Sequence, residues 1–262
     1  MLKIAIQTQD ETLIAHQLAK FDLSELTNLV QTDRVRALAH IDAMLLQGDD
    51  SVFDNLIEWA NERELSPSKF PRDKDALKAL KELNLSECGL KTLPQELVCL
   101  QGLEELVLGY NNFKEFPNAL CGLINLKSLN LANCGLKTLP DTFGVLQKLE
   151  KLYLPLNQLV CDKWLDSRDL PQVIFKLRNL QELDLCDCNI PSCSTLPKEF
   201  INLQNLKKLF INSADFWSDS SVVVSSSQFP SDTTVLSNLK IQIESRGGRL
   251  EIHTSTRFKF FW

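Results

Sequence analysis

The sequence predicts an α/β solenoid: a stack of short coils, each with a strand on one side and a helical return on the other. Three observations predict it. A block opening on leucine recurs at Leu80, Leu103, Leu126 and Leu149, a constant step of 23 residues, and a fixed period of that size marks a repeat architecture. Within each block two leucines stand two apart, as Leu83 and Leu85 do, which is the spacing of strand residues sharing one face. A Leu-Pro or Phe-Pro pair then follows at Leu93-Pro94, Phe116-Pro117 and Leu139-Pro140, where proline fixes its backbone angle and cannot join a ladder.

Each block carries the same apolar frame: Leu80, Leu83, Leu85, Cys88 and Leu90 in the first, and Leu103, Leu106, Leu108, Asn111 and Phe113 in the second. The third reads Leu126, Leu129, Leu131, Cys134, Leu136, and the fourth Leu149, Leu152, Leu154, Asn157, Leu159. Asn or Cys at the ninth place bonds the backbone of the turn leaving the strand, strongly for Asn and weakly for Cys. After the proline, apolar residues at steps of three, such as Leu97, Leu100 and Leu103, suit a short helical return. No block buries its own leucine face, so neighbours must stack. At roughly 1.5–3 kcal/mol per buried Leu or Phe, the shared core is the dominant stabilising contribution.

This pattern resembles the leucine-rich-repeat family over roughly 70–216, in the 23-residue LxxLP subtype also found in Ras-suppressor-like proteins. Similar arrays occur in effectors that intracellular bacterial pathogens deliver into host cells. The resemblance implies a horseshoe or arc with a parallel sheet on its concave side, used in most members to hold another protein.

Before the repeats, the chain reads as helices. Asp10 caps a run with Leu13, Ile14, Leu18 and Phe21; Ser24 and Thr32 precede further apolar stripes; Ser51 precedes Val52, Phe53, Leu56, Ile57 and Ala60 at helical spacing. Residues 1–68 are therefore expected to form an α-helical cap, with a boundary in the Ser66-Pro67-Ser68 loop. Residues 69–235 form the solenoid, its register starting early because Phe70-Pro71 stands before Leu80 as Leu93-Pro94 stands before Leu103. A fifth block runs Leu180, Leu183, Leu185, Cys188, Ile190, and a sixth opens Leu206, Leu209, Ile211. Insertions around Trp164 and before Leu196-Pro197 break the spacing, and a Ser-rich stretch follows Phe216. Such insertions are either functional or neutral loop variation. Residues 236–262 are expected to form a β cap, with Leu239, Ile241 and Ile243 alternating, a turn at Arg246-Gly247-Gly248-Arg249, and Leu250 and Ile252 beyond it.

The chain has 262 residues, 44% of them hydrophobic and 24% charged, which is a globular composition. Its formal net charge of −6 argues against a nucleic-acid surface. No apolar run reaches the length of a membrane span, and the start lacks the features of a cleavable secretory signal. Among eight cysteines, Cys88, Cys134 and Cys188 occupy the ninth place and Cys99 and Cys121 the return leg, where thiols behave as small apolar groups. A cytoplasmic location is expected, or for a bacterial effector delivery into the host cytosol.

Third, fifth, seventh and eighth positions of each block point outward from the expected concave sheet. Both tyrosines of the chain fall there, and Tyr110, Tyr153, Leu156 and Phe210 form a candidate apolar anchor for a partner protein. Carboxylates at Glu82, Glu105, Asp184 and Asp187 flank it. The same residues also suit an ordinary solvated face. No catalytic or cofactor site is expected: His16, His40 and His253 are the only histidines and none lies in a nucleophile motif. Cys186, Cys188 and Cys193, with or without Cys161, do not have a strong zinc spacing. Two other readings remain open, recognition by the N-terminal helices with the repeats as scaffold, and, through the resemblance, the substrate-recognition part of a ubiquitin-ligase-type effector.

Overall fold

The computed structural model describes residues 50–159, 170–188, 198–212, 234–245, 247, 249 and 251–255. The helices expected before residue 50, the Trp164 insertion, the stretch before Leu196-Pro197 and the Ser-rich segment lie outside the described residues.

Helix α1 (Ser51–Glu62) and a short helix α2 (Lys74–Lys78) precede six strands, β1 (Glu82–Asn84), β2 (Glu105–Val107), β3 (Ser128–Asn130), β4 (Lys151–Tyr153), β5 (Glu182–Asp184) and β6 (Lys208–Asn212). Helix α3 (Thr234–Glu244) and strand β7 (Glu251–Ser255) follow. All seven strands form one sheet in sequence order, each pairing parallel to the next. The architecture is a solenoid arc with a parallel concave sheet.

The register is the one that the period demands. Leu83, Leu106, Leu129, Leu152, Leu183 and Leu209 pair strand by strand into one ladder, and each is at most 3% exposed. The ladder outlasts the strands by one inward leucine, since Leu85 N–H donates to Val107 O at 2.8 Å and Leu108 N–H to Asn130 O at 2.8 Å. The insertion after Leu159 leaves this pairing intact, because strand spacing is set by the ladder and not by loop length.

On the far side of each coil, proline starts the return as expected. Pro94, Pro117, Pro140 and Pro171 precede 3₁₀ segments at Gln95–Cys99, Asn118–Gly122, Asp141–Val145 and Gln172–Lys176. The proline carbonyl accepts the first turn's bond, from Leu97 N at 3.2 Å, Leu120 N at 3.0 Å and Phe143 N at 2.9 Å. Three residues per turn is the 3₁₀ period, so Leu97, Leu100 and Leu103 face one way and all are buried.

The ninth position closes the coils. Asn111 and Asn157 are buried, and each amide bonds the turn of the preceding repeat. Asn157 Oδ1 accepts from Cys134 N at 3.1 Å and Leu136 N at 3.0 Å, while its Nδ2 donates to Leu131 O at 2.7 Å and Leu154 O at 2.9 Å. Cysteine does less at the same place: Cys134 Sγ donates to Leu108 O at 3.2 Å and Cys188 Sγ to Leu154 O at 2.9 Å.

Helix α1 belongs to the same core. Val52, Phe53, Leu56 and Ala60 join one cluster of buried side chains that continues through the repeats to Ile243. Arg72 fastens the join, donating to Asn61 Oδ1 at 2.6 Å, to Leu65 O at 2.6 Å and to Phe70 O.

One expectation is corrected. The segment holding Leu239, Ile241 and Ile243 is the helix α3, not a strand. Leu239 and Ile243 are buried while Ile241, midway between them, is 63% exposed; a period of 3.6 puts i and i+4 on one face and i+2 off it, whereas a period of 2 would put all three on one face. Nor does a hairpin return the chain: β7 extends the sheet parallel to β6, and parallel neighbours need a crossover such as α3. Residues 246 and 248 of the expected turn lie outside the described residues, as do Leu250 and Phe258, Phe260 and Trp262, which continue the expected β cap.

Candidate functional site

The outward columns of the concave sheet are set by strand register. The third-position column runs Glu82, Glu105, Ser128, Lys151, Glu182, Lys208, and the fifth-position column runs Asn84, Val107, Asn130, Tyr153, Asp184, Phe210. The fifth column alternates. In the odd-numbered repeats its residue is Asn or Asp, and the side-chain oxygen accepts the backbone N–H two residues on: Asn84 from Ser86 at 3.0 Å, Asn130 from Ala132 at 2.9 Å, Asp184 from Cys186 at 2.9 Å. These are Asx turns that bend the chain off the strand. In the even-numbered repeats the residue is Val107, Tyr153 or Phe210, which makes no such bond through its apolar body.

At the eighth position the chain turns left-handed in each of the first five repeats: Glu87 (φ 58), Tyr110 (φ 60), Asn133 (φ 49), Leu156 (φ 63) and Asp187 (φ 56). Ladder bonds to the next repeat impose it. Tyr110 N–H donates to Ala132 O at 2.7 Å and Leu156 N–H to Cys186 O at 2.9 Å. Asn and Asp tolerate this conformation; Tyr and Leu do so at a cost. Tyr110, at 41%, and Ile241 are the large apolar side chains most exposed among the described residues.

Charge on this face is partly committed. Tyr153 Oη donates to Glu182 Oε2 at 2.9 Å, and Lys208 Nζ reaches Glu182 Oε1 at 2.7 Å. Burial, then the bond to Glu182 and nearby carboxylates, holds the Tyr153 hydroxyl far above its ordinary pKa. Burial raises the Glu182 carboxyl, but the bonds from Lys208 and Tyr153 with the Lys151 charge outweigh it and leave the pKa lowered. At the rim Glu104 bridges Lys127 at 2.6 Å and Lys81 at 3.3 Å, and those bonds lower its pKa. Glu82, Glu87 and Glu105 are exposed.

Residues 78–136 and 179–203 match two family models, both described as leucine-rich repeats. Those segments are leucine-rich repeats. Among solved structures, internalin C2 of Listeria monocytogenes is similar at 21% identity and a TM-score of 0.42, over 59% of this chain and 73% of that one. The receptor kinase HAESA ectodomain of Arabidopsis, solved with a peptide hormone, shares 26% identity at a TM-score of 0.39, over 51% of this chain and 22% of that one. The BIR2 ectodomain from Arabidopsis thaliana shares 27% identity at a TM-score of 0.33, over 40% of this chain and 53% of that one. No curated protein sequence matches the chain.

The leucine-rich repeats place the expected anchor residues on one face but not in one patch. Tyr110 belongs to the coil of β2, Tyr153 and Leu156 to that of β4, and Phe210 to β6. Asn130 and Asn133 lie between the first two groups, and Asp184 and Asp187 between the second and third. Glu82 and Glu105 are paired neighbours at one end of the sheet. Asp184 serves its own turn as well as the face, and burial lifts its carboxyl above the ordinary value. Val107 was the apolar fifth-position residue left out of the anchor; the alternation LNL, LVL, LNL, LYL, LDL, LFI at the strands was the signal that includes it. A second set of cross-repeat bonds also went unread: Asn125 Nδ2 donates to Gln101 O at 2.9 Å, Asn179 to Gln147 O at 2.7 Å and Asn205 to Arg178 O at 2.8 Å. Asn before the opening Leu of a repeat is the sequence mark of that bond.

Among the described residues, the buried thiols are poorly suited to attack. Burial pushes Cys99 and Cys134 up to about 11 and Cys188 to about 12; the thiolate is the nucleophile, and it is scarce at such values. Among the described residues no cluster of three or more metal-ligating side chains occurs; Cys161, Cys193, His16 and His40 lie outside them. No helix among the described residues is long and apolar enough to cross a membrane.

Proposed function

We propose that the protein is a non-catalytic interaction module that holds a partner protein on the concave sheet of its leucine-rich repeats, with Tyr110, Tyr153, Leu156 and Phe210 as apolar anchors and Glu82, Glu105, Asp184 and Asp187 around them. One observation carries this reading. Tyr110 and Leu156 stand at left-handed positions where Asn or Asp serves the fold at lower cost, and an apolar residue kept at a strained surface position is better explained by contact with a partner than by folding. Leucine-rich repeats generally act as protein-interaction modules, and solenoids present such extended concave surfaces. Six described cysteines carry free thiols, which suits an adaptor or effector working in a reducing cytoplasm.

The test is capture. Wild-type protein and a Tyr110→Asn, Leu156→Asn double variant are immobilised and exposed to the same lysate, and the captured proteins are quantified. Partners held by the concave face fall by about tenfold or more in the variant, since truncating a binding hot spot costs about 2 kcal/mol. Undiminished capture by the variant rejects the reading.

A further inference from the structure

The concave face is built in alternating rungs. The apolar rungs are set by Val107 on the second strand, Tyr153 on the fourth and Phe210 on the sixth, which share one column, with Tyr110 and Leu156 at the left-handed eighth positions of the first two of those coils. Polar pairs, Asn84 with Glu87, Asn130 with Asn133 and Asp184 with Asp187, lie on the strands between. Neighbouring strands are in register and hydrogen-bonded, so they lie about 4.8 Å apart and apolar rungs recur roughly every 9.6 Å. Three rungs span about 19 Å.

A segment lying across the strands must return an apolar group to one face at that interval. A β-strand returns to the same face at roughly 6.6 Å and falls out of step at once. An α-helix returns after seven residues at about 10.5 Å, and over two intervals it overshoots by about 2 Å. Polyproline II returns after three residues at about 9.3 Å, and over two intervals it stays within about 0.6 Å. The inward curve of the face brings side-chain tips closer than the strands that bear them, which favours the shorter repeat. The polar rung at the third strand suits the same occupant. Polyproline II leaves its carbonyls unbonded, and Asn130, whose Oδ1 is taken by Ala132 N–H, keeps its amide N–H groups as donors beside the exposed Asn133. At the β1–β2 end Glu82, Glu87 and Glu105 are exposed and make no ion pair among the described residues.

We propose that the concave sheet takes a proline-rich segment of its partner in polyproline II conformation, running across the strands with an apolar residue at every third position and basic residues over Glu82, Glu87 and Glu105. This rests on the concave face being the binding face. The test uses the full chain and three labelled synthetic peptides: two arginines followed by three Pro-Pro-Leu triplets; the same composition with unevenly spaced leucines; and a helix-forming peptide with leucines seven apart and the same two arginines. Fluorescence anisotropy should show the triplet peptide binding at least about tenfold tighter than both others, and Tyr110→Asn and Leu156→Asn should each weaken it by about tenfold. Raised salt should weaken it further through the arginines. Equal binding of the uneven peptide, tighter binding of the helical one, or no saturable binding of the triplet peptide overturns the proposal. Loss of protein capture in the double variant would still stand in any of those cases, so the two readings fail separately.

Discussion

At Leu156 the backbone φ is 63, a conformation in which the Cβ crowds the following carbonyl at a cost of roughly 1–2 kcal/mol. Asn133 occupies the equivalent place one repeat earlier at φ 49. Leu156→Asn is therefore expected to raise the thermal midpoint, with a gain of about 0.5–1 kcal/mol, while lowering partner capture; a lower midpoint would show that Leu156 is there for packing. Asp184 offers a second trade. It performs the turn bond that Asn84 and Asn130 perform with a neutral amide, and burial raises its pKa above 3.8. A carboxyl whose folded pKa is raised destabilises the fold when charged, above its folded pKa, and the penalty disappears once pH falls below the unfolded value. Asp184→Asn should then raise the midpoint at pH 7 and match wild type near pH 3. An advantage of equal size at both pH values would reject burial of charge as the cause. The strain at Leu156 was not legible in the sequence, because backbone angles follow from ladder bonds to a neighbouring coil.

Each coil is made of elements too short to stand alone, so their stability comes from stacking. Strands of three residues are held by register, and 3₁₀ segments of five are held by contacts along the return side. Gly122 shows how closely two returns approach: a Cβ built there would lie 2.6 Å from Val98 Cγ1 and 2.8 Å from Val98 Cβ, nearer than real Cβ contacts come. Gly122→Ala is expected to cost about 1–3 kcal/mol by overpacking. Adding Val98→Ala should recover part of that loss, so that the double variant is more stable than the sum of the singles predicts. Additive losses in urea unfolding would locate the strain elsewhere. The Leu-Pro pairs and the three-residue apolar steps foretold the returns; the glycine contact depends on a residue 24 positions earlier in the chain and becomes visible only when the coils are stacked. At α3 the opposite error arose: Leu239, Ile241 and Ile243 satisfy a strand period over five residues, and only burial separated that from the helix with Ile241 outside.

Across the molecule, the buried side chains of α1 and of the repeats make one cluster. Leu56 is fully buried although it stands before the first repeat, and Trp59 packs edge-on to Phe70 with centroids 5.7 Å apart. Leu56→Ala should therefore cost about 2–5 kcal/mol, and circular dichroism in urea should show one transition shifted as a whole. An early separate step that leaves the strands folded would mean that α1 unfolds on its own. Edge-packed phenylalanines continue the core on the return side, Phe116 on Phe143 at 5.3 Å and Phe175 on Phe200 at 5.1 Å.

The period of the leucines, read from the chain alone, determined that coils would form, where the strand of each repeat would lie and which of its residues would face outward. A one-dimensional repeat leaves its apolar residues no other shared interior. Tertiary structure decided what the outward residues are able to do. The alternation of the outward residues was already in the sequence, but only the paired strands fixed it as adjacent rungs in register, joined the Tyr153 hydroxyl to Glu182, and forced Tyr110 and Leu156 left-handed. The reason is distance along the chain: each of these outcomes depends on a neighbour about one repeat away, brought close only by the ladder that joins adjacent coils.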